Sequence, residues 1–176
     1  MATNFDVMAI LRSELDMDSI DTVLDLGCGS FYNSPYDYET TDILLNIFGG
    51  KDIHAIDIYK PNIDWRKQYG PPGTYEQLDV MDFEFSKKYD LIICHHVLEH
   101  LTQEDHDKLL ANIEKSFNKY SILGGPVGYH DNIIHENITG NPNEKHIIGL
   151  DPKVYEQLGY KMFYVSPVFV AIKKLD

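Results

Sequence analysis

The chain is poor in cysteine, with Cys28 and Cys94 the only two in 176 residues. Each follows an apolar run, and two isolated thiols offer no disulfide framework of the kind that staples small secreted domains; a reducing compartment is expected. Long apolar stretches are also missing. No run approaches the eighteen or so residues of a membrane span, and Met1-Ala2-Thr3-Asn4-Phe5-Asp6 lacks the basic and apolar regions of a secretory signal. A cytoplasmic protein with no membrane partner is therefore expected, and the Asn137-Ile138-Thr139 sequon counts as chance. Positive charge is scarce: 15 Lys and Arg stand against 28 Asp and Glu, a formal charge of −13. Binding duplex nucleic acid requires a basic face to replace phosphate counterions. The basic pairs Lys87-Lys88 and Lys173-Lys174 do not make one, so nucleic acid is an unlikely partner. Repeats and low-complexity tracts are absent, and 43% apolar residues suffice for one core, so 1–176 reads as a single domain.

What is present alternates between strand and helix signals. Phe5, Met8, Ala9, Leu11 and Leu15 recur at helical spacing, which predicts an amphipathic helix packed on the first strand, with a lid over a ligand as the functional alternative. Apolar runs predict strands at 22–26, 53–58, 74–78, 90–94 and 120–123. Helices are expected from about 38 or 40 to Phe48, over 61–68, over 103–118 with Thr102 as cap, and from Asp151-Pro152 to Leu158. Runs at 160–165 and 168–173 flank Ser166-Pro167 and read as a closing hairpin. Such alternation implies a doubly wound, mostly parallel α/β sheet, its last hairpin antiparallel.

Four signals sit at the carboxyl ends of these strands, where an open α/β sheet holds its ligand. They are Asp25-Leu26-Gly27-Cys28-Gly29, Asp57, Asp79-Val80 and His95-His96. Glycines after a buried strand allow positive φ and a close backbone approach. An acid ending the second strand can accept from two ribose hydroxyls, and one after the third can reach an adenine amine.

The run Val23-Leu24-Asp25-Leu26-Gly27-Cys28-Gly29 resembles the first motif of class I S-adenosylmethionine-dependent methyltransferases. His54-Ala55-Ile56-Asp57 resembles their acidic second motif, and Leu78-Asp79-Val80-Met81-Asp82 their adenine-contacting segment. Tyr89 to Leu101, ending in Leu98-Glu99-His100-Leu101, is similar to the fourth-strand signature. The resemblance covers about residues 20–125 and implies a Rossmann-like seven-stranded mixed sheet of order 3-2-1-4-5-7-6 with helices on both faces. It implies S-adenosyl-L-methionine as cofactor. Gly27, Cys28 and Gly29 would lie along its methionine part, and Asp25 near the methionine amino group. Asp57 would bind the ribose, Ile58 would rest on the adenine, Asp79 would bond the adenine amine, and the Val80 backbone would bond a ring nitrogen. His95 would lie beside the methyl group.

The family often carries a third glycine two places after Gly29, where this chain has Phe31. The nicotinamide fingerprint would require glycine at 32, where Tyr32 stands, and Asp37 and Glu39 have no compensating base for a pyrophosphate. Phe31, Tyr32, Tyr36 and Tyr38 crowd the loop after the turn, where they either line the pocket mouth or pack the loop itself. Methyl transfer from a sulfonium needs alignment and desolvation, helped by a base where the acceptor is a hydroxyl or protonated amine. His95 and His96 are the catalytic candidates, because histidine titrates near neutral pH. The expected acceptor is an O or N atom of a small molecule or of a glycan or peptide end. The strand-four end lacks the Pro-Pro run of DNA amino-methylating enzymes, and no proline precedes Cys94, which disfavours DNA.

Two alternatives stand beside this reading. One is a cofactor-binding module or inactive partner subunit. The other is a metal-assisted 2′-O-methyltransferase, because His96-x-x-Glu99-His100 partly resembles the Glu-x-x-Glu-His of small-RNA 3′-terminal enzymes, with His130, His135 or His146 to complete a site. On a helix, His96 and His100 would share a face. Leu-Glu-His is common in metal-free relatives, so no metal is expected. The His- and Asn-rich loop 127–150 is where acceptor specificity is expected.

Overall fold

The computed structural model describes residues 4–29, 47–131, 140–165 and 167–175. The expected helix from 38 or 40 to Phe48 falls mostly outside these residues, as do Phe31, Tyr32, Tyr36, Tyr38 and His135. Helix α1 spans Asn4–Glu14, β1 Thr22–Leu26, β2 Asp52–Asp57, α2 Lys60–Tyr69, β3 Thr74–Gln77 and β4 Tyr89–His95. Then come α3 Gln103–Ser116, β5 Phe117–Pro126, α4 Pro152–Gln157, β6 Lys161–Val165 and β7 Val168–Lys174.

The seven strands form one sheet in the order β3-β2-β1-β4-β5-β7-β6. All pairs through β5 are parallel, and β7 inserts antiparallel between β5 and β6, as the sequence motifs imply. Central strands β1 and β4 are buried on both faces, which is why their sequences are continuous apolar runs rather than alternations. Residues one apart still face opposite sides. Val23, Ile53, Leu91, Ile93 and Ile122 meet α1 and Ile63 of α2 on one face. Leu24, Leu26, Ile56, Ile92 and Leu123 meet Leu109, Leu110 and Ile113 of α3 and Tyr155 of α4 on the other. Full burial of each such side chain contributes about 2 kcal/mol.

Local sequence sets the boundaries. Thr102 Oγ1 accepts the Asp105 N–H at 3.2 Å, and Asp151 accepts the Lys153 N–H at 3.0 Å ahead of Pro152. Helix α1 packs on the core through Val7 and Leu11, continued by Leu15 just past its end, spaced by four, which supports the packing role over the lid. Ala9, expected on that face, is exposed, because two residues along a helix from Val7 point the other way.

Strand β5 runs well past the expected 120–123. Helix α3 ends at Ser116, and Phe117 already pairs with Tyr89. At its far end Gly124, Gly125 and Pro126, which look like a turn, pair with Val170, Phe169 and Val168. Their smallness serves the neighbouring strand: a Cβ on Gly124 would lie 2.5 Å from His95 Nε2, and one on Gly125 would lie 3.1 Å from Glu99 Oε2.

Candidate active site

The strand order reverses between β1 and β4, which opens a crevice beyond their carboxyl ends. The Gly27-Cys28-Gly29 turn lies there, and every part of it is held. Gly27 and Cys28 N–H both donate to Ile56 O at 2.9 Å. Gly29 N–H donates to Asp57 Oδ2 at 2.9 Å. Arg66, buried on α2, donates from Nε to Gly29 O at 2.9 Å and from Nη2 to Cys28 O at 2.5 Å. Gly27 and Gly29 have φ of +76° and +52°, the left-handed region that glycine enters without strain. The Cys28 side chain points into the core, where burial, then the nearby Asp57 and Asp25 charges, push its thiol well above its usual pKa.

Asp57 is the last residue of β2. Its Oδ1 accepts Tyr59 N–H at 2.8 Å, and Oδ2 also accepts Asn62 Nδ2 at 3.2 Å. Burial raises its pKa, against the lowering effect of the hydrogen bonds from Tyr59, Gly29 and Asn62. Oδ1 retains an acceptor lone pair in this geometry. Beside it Ile58 is 42% exposed, an apolar surface next to the acid. Asp79 turns its own chain, Oδ1 accepting Met81 N–H at 2.9 Å, and Val80 is nearly buried against the second core cluster. Asp25 is fully buried in β1 between Ala55 and Ile93.

At the end of β4, His95 and His96 diverge. His95 is buried, and neither ring nitrogen has a hydrogen-bond partner among the described residues. Burial, then the His96 charge, lower its pKa to about 3, so its imidazole is neutral at physiological pH. His96 has φ +57° and a partly exposed side chain. Its Nδ1 meets Glu99 Oε1 at 3.0 Å. Glu99 is fully buried; burial pushes its carboxyl up, but the His96 hydrogen bond and the His96 and His100 charges outweigh that and bring it down to about 2.

The expectation that His96 and His100 share a helix face is not met. The left-handed His96 breaks the path, and Leu98–His100 forms one 3-10 turn. The long loop returns to this turn instead. Ile147 and Ile148 N–H donate to Glu99 O at 2.8 and 3.2 Å, His100 Nδ1 meets Lys145 O at 3.1 Å, and the His146 ring packs edge-on to His100. Asn141 orders the loop before it, Oδ1 accepting Asn143 N–H at 3.0 Å and Nδ2 donating to Glu144 Oε1 at 2.9 Å.

His95 yields a pH prediction. An unfolded histidine takes up its proton near pH 6.5, and folded His95 does so only near 3. The unfolded state therefore binds more protons between these values, and stability falls as pH drops through that window, by about 1.4 kcal/mol per pH unit. Urea unfolding at pH 7, 6 and 5 checks this: the slope should be visibly shallower in His95→Asn, with His146, its pKa also lowered by burial, supplying part of the remainder.

The family model described as a methyltransferase domain matches residues 23–119, more than half of the chain. The chain belongs to the methyltransferase domain family. No curated protein matches the sequence. Among solved structures, magnesium protoporphyrin IX methyltransferase from Synechocystis PCC 6803 with bound S-adenosylhomocysteine superposes with a TM-score of 0.65 at 18% identity, over 98% of this chain and 82% of that one. The N-methyltransferase NodS from Bradyrhizobium japonicum WM9 superposes with a TM-score of 0.62 at 10% identity, covering 97% and 93%. The N-terminal domain of EvdMO1 with S-adenosylhomocysteine reaches 0.67 at 11% identity, covering 98% and 81%. These likenesses show a shared fold, that of the class I S-adenosylmethionine-dependent methyltransferases.

The methyltransferase domain's own residues fit that cofactor. Gly27 and Gly29 carry no side chain, Asp57 ends β2, Asp79 follows β3, and Ile58 beside Asp57 is exposed. Sequence patterns do not single out Arg66, although its spacing of three from the apolar Ile63 is a sign that it points inward.

Proposed function

We propose that this methyltransferase domain moves the methyl group of S-adenosyl-L-methionine onto an oxygen or nitrogen of a small molecule, with a glycan or peptide end as the wider class. The observation that carries this is the braced glycine turn beside a Glu99-held His96. The sulfonium supplies an already activated methyl, so the protein's work is alignment and water exclusion.

In this reading Gly27 and Gly29 lie along the methionine part, Asp25 near its amino group, and the free lone pair of Asp57 Oδ1 takes a ribose hydroxyl. Ile58 covers the adenine, Asp79 and the Val80 backbone meet its edge, and neutral His95 packs beside the methyl. His96 is the base. Glu99, ionised across the working range, accepts the Nδ1 proton, and Nε2 is the nitrogen that takes a proton from the acceptor. The long loop, fastened to Glu99 through Ile147 and Ile148, forms the acceptor side.

Isothermal titration with S-adenosyl-L-methionine is expected to give saturable binding, with Asp57→Ala weakening it by at least roughly tenfold, the worth of one hydrogen bond to a charged group. Absent binding by folded protein would sink the proposal. A screen of hydroxyl, amine and carboxyl acceptors, read by S-adenosylhomocysteine release, separates an enzyme from a binding module.

A further inference from the structure

The reading above leaves one buried oxygen and two ring nitrogens without work. Glu99 Oε2 is buried without a hydrogen-bond partner among the described residues, although its other oxygen is held by His96. Buried His146 likewise has no partner for Nδ1 among the described residues, and its ring stands edge-on to that of His100. His100 engages Lys145 O through Nδ1, which leaves its Nε2. One ligand atom each from Glu99, His100 and His146 lies within 4.8 Å of the other two.

We propose that Glu99, His100 and His146 bind a divalent first-row transition ion of the zinc class. His100 has one nitrogen fixed by a backbone carbonyl and presents the other, which is how metal-bound imidazoles are oriented, and the His146 ring is held against it edge-on. Glu99 is oriented in the same way by His96. Two imidazoles and one carboxylate are a donor set for zinc and its neighbours, whereas magnesium and calcium prefer all-oxygen sites. Ligand atoms around tetrahedral zinc stand about 3.4 Å apart at its usual bond lengths. The widest of these separations therefore closes by at most about 1.4 Å on binding. Three protein ligands leave a fourth position for an exchangeable oxygen. The assignment rests on these side chains and not on methyl transfer.

Untagged protein, stripped with a chelator, is titrated with Co²⁺, Zn²⁺ and Mg²⁺. The expected result is one Co²⁺ per chain with visible d–d absorption, displaced by Zn²⁺ and not by Mg²⁺. Glu99→Gln and His146→Asn should each lower Co²⁺ affinity by at least roughly tenfold, with the circular dichroism of the sheet unchanged. Should Glu99→Gln fail to fold, His146→Asn, on the loop, decides alone. No saturable Co²⁺ binding, wild-type affinity in the folded variants, or equal competition by Mg²⁺ overturns the proposal. S-adenosyl-L-methionine binding by the stripped protein is measured in parallel; its loss would count against the cofactor reading and leave the metal result standing.

Discussion

Gly27→Ala is expected to remove detectable cofactor binding and to cost about 3 kcal/mol of stability. Two effects add. The backbone there has φ +76°, where an L side chain costs about 1–2 kcal/mol. A methyl at that position would also overlap Cγ2 of Val97, which is itself nearly buried, and forced overpacking costs about 1–3 kcal/mol. Val97, β-branched and nearly buried, has little room to turn away, and it lies in the segment that carries His96 and Glu99, so the substitution disturbs both halves of the site. Urea denaturation and titration with S-adenosylhomocysteine measure the two losses. Wild-type affinity in Gly27→Ala would show that the turn does not carry the cofactor.

Arg66→Met is expected to be the most destabilising change on α2, by about 4 kcal/mol. Arg66 is 1% exposed, and its guanidinium holds Cys28 O and Gly29 O together. Hydrogen bonds from charged donors contribute about 1.5–3 kcal/mol each, and methionine fills most of the volume but offers no donor. For a chain of this size the loss corresponds to about 8–16 °C in melting temperature. Arg66→Lys should recover only part, because one ammonium cannot reproduce the planar fork that meets two carbonyls. A drop below about 1 kcal/mol in Arg66→Met would mean that water replaces the arginine, and the bracing role would be lost. Cofactor affinity should fall alongside stability, since the turn that carries Gly29 loses its anchor on the helix side.

Most of the sheet was legible because burial writes directly into sequence. Strands β1 and β4 are covered on both faces and so are uninterrupted apolar runs; Thr102 and Asp151 mark helix starts because the first N–H groups of a helix lack partners. The strand-end acids and glycines were legible because a turn at a crevice needs those residue types. His130, His135 and His146 read as equal candidates to join His100; that His146, 46 positions away, packs against it is visible only in the folded loop. The extent of β5 was hidden for another reason. Gly124-Gly125-Pro126 has the composition of a turn, and only the antiparallel β7 beside it, with His95 and Glu99 needing room, makes it a strand. His96 misled by its helical spacing, because a single left-handed residue redirects the chain without any glycine to announce it.

The fastening of the Gly27–Gly29 turn has a consequence for how the chain matures during synthesis. Its partners lie well downstream: Asp57 is 28 positions beyond Gly29, and Arg66 is 37 beyond it. As the chain leaves the ribosome the turn emerges early with nothing to hold its carbonyls, and it stays unformed until β2 and the whole of α2 have followed. The cradle is thus completed only when a helix docks, and in pulse-labelling hydrogen exchange the Gly29 amide should gain protection with the α2 amides rather than with those of β1.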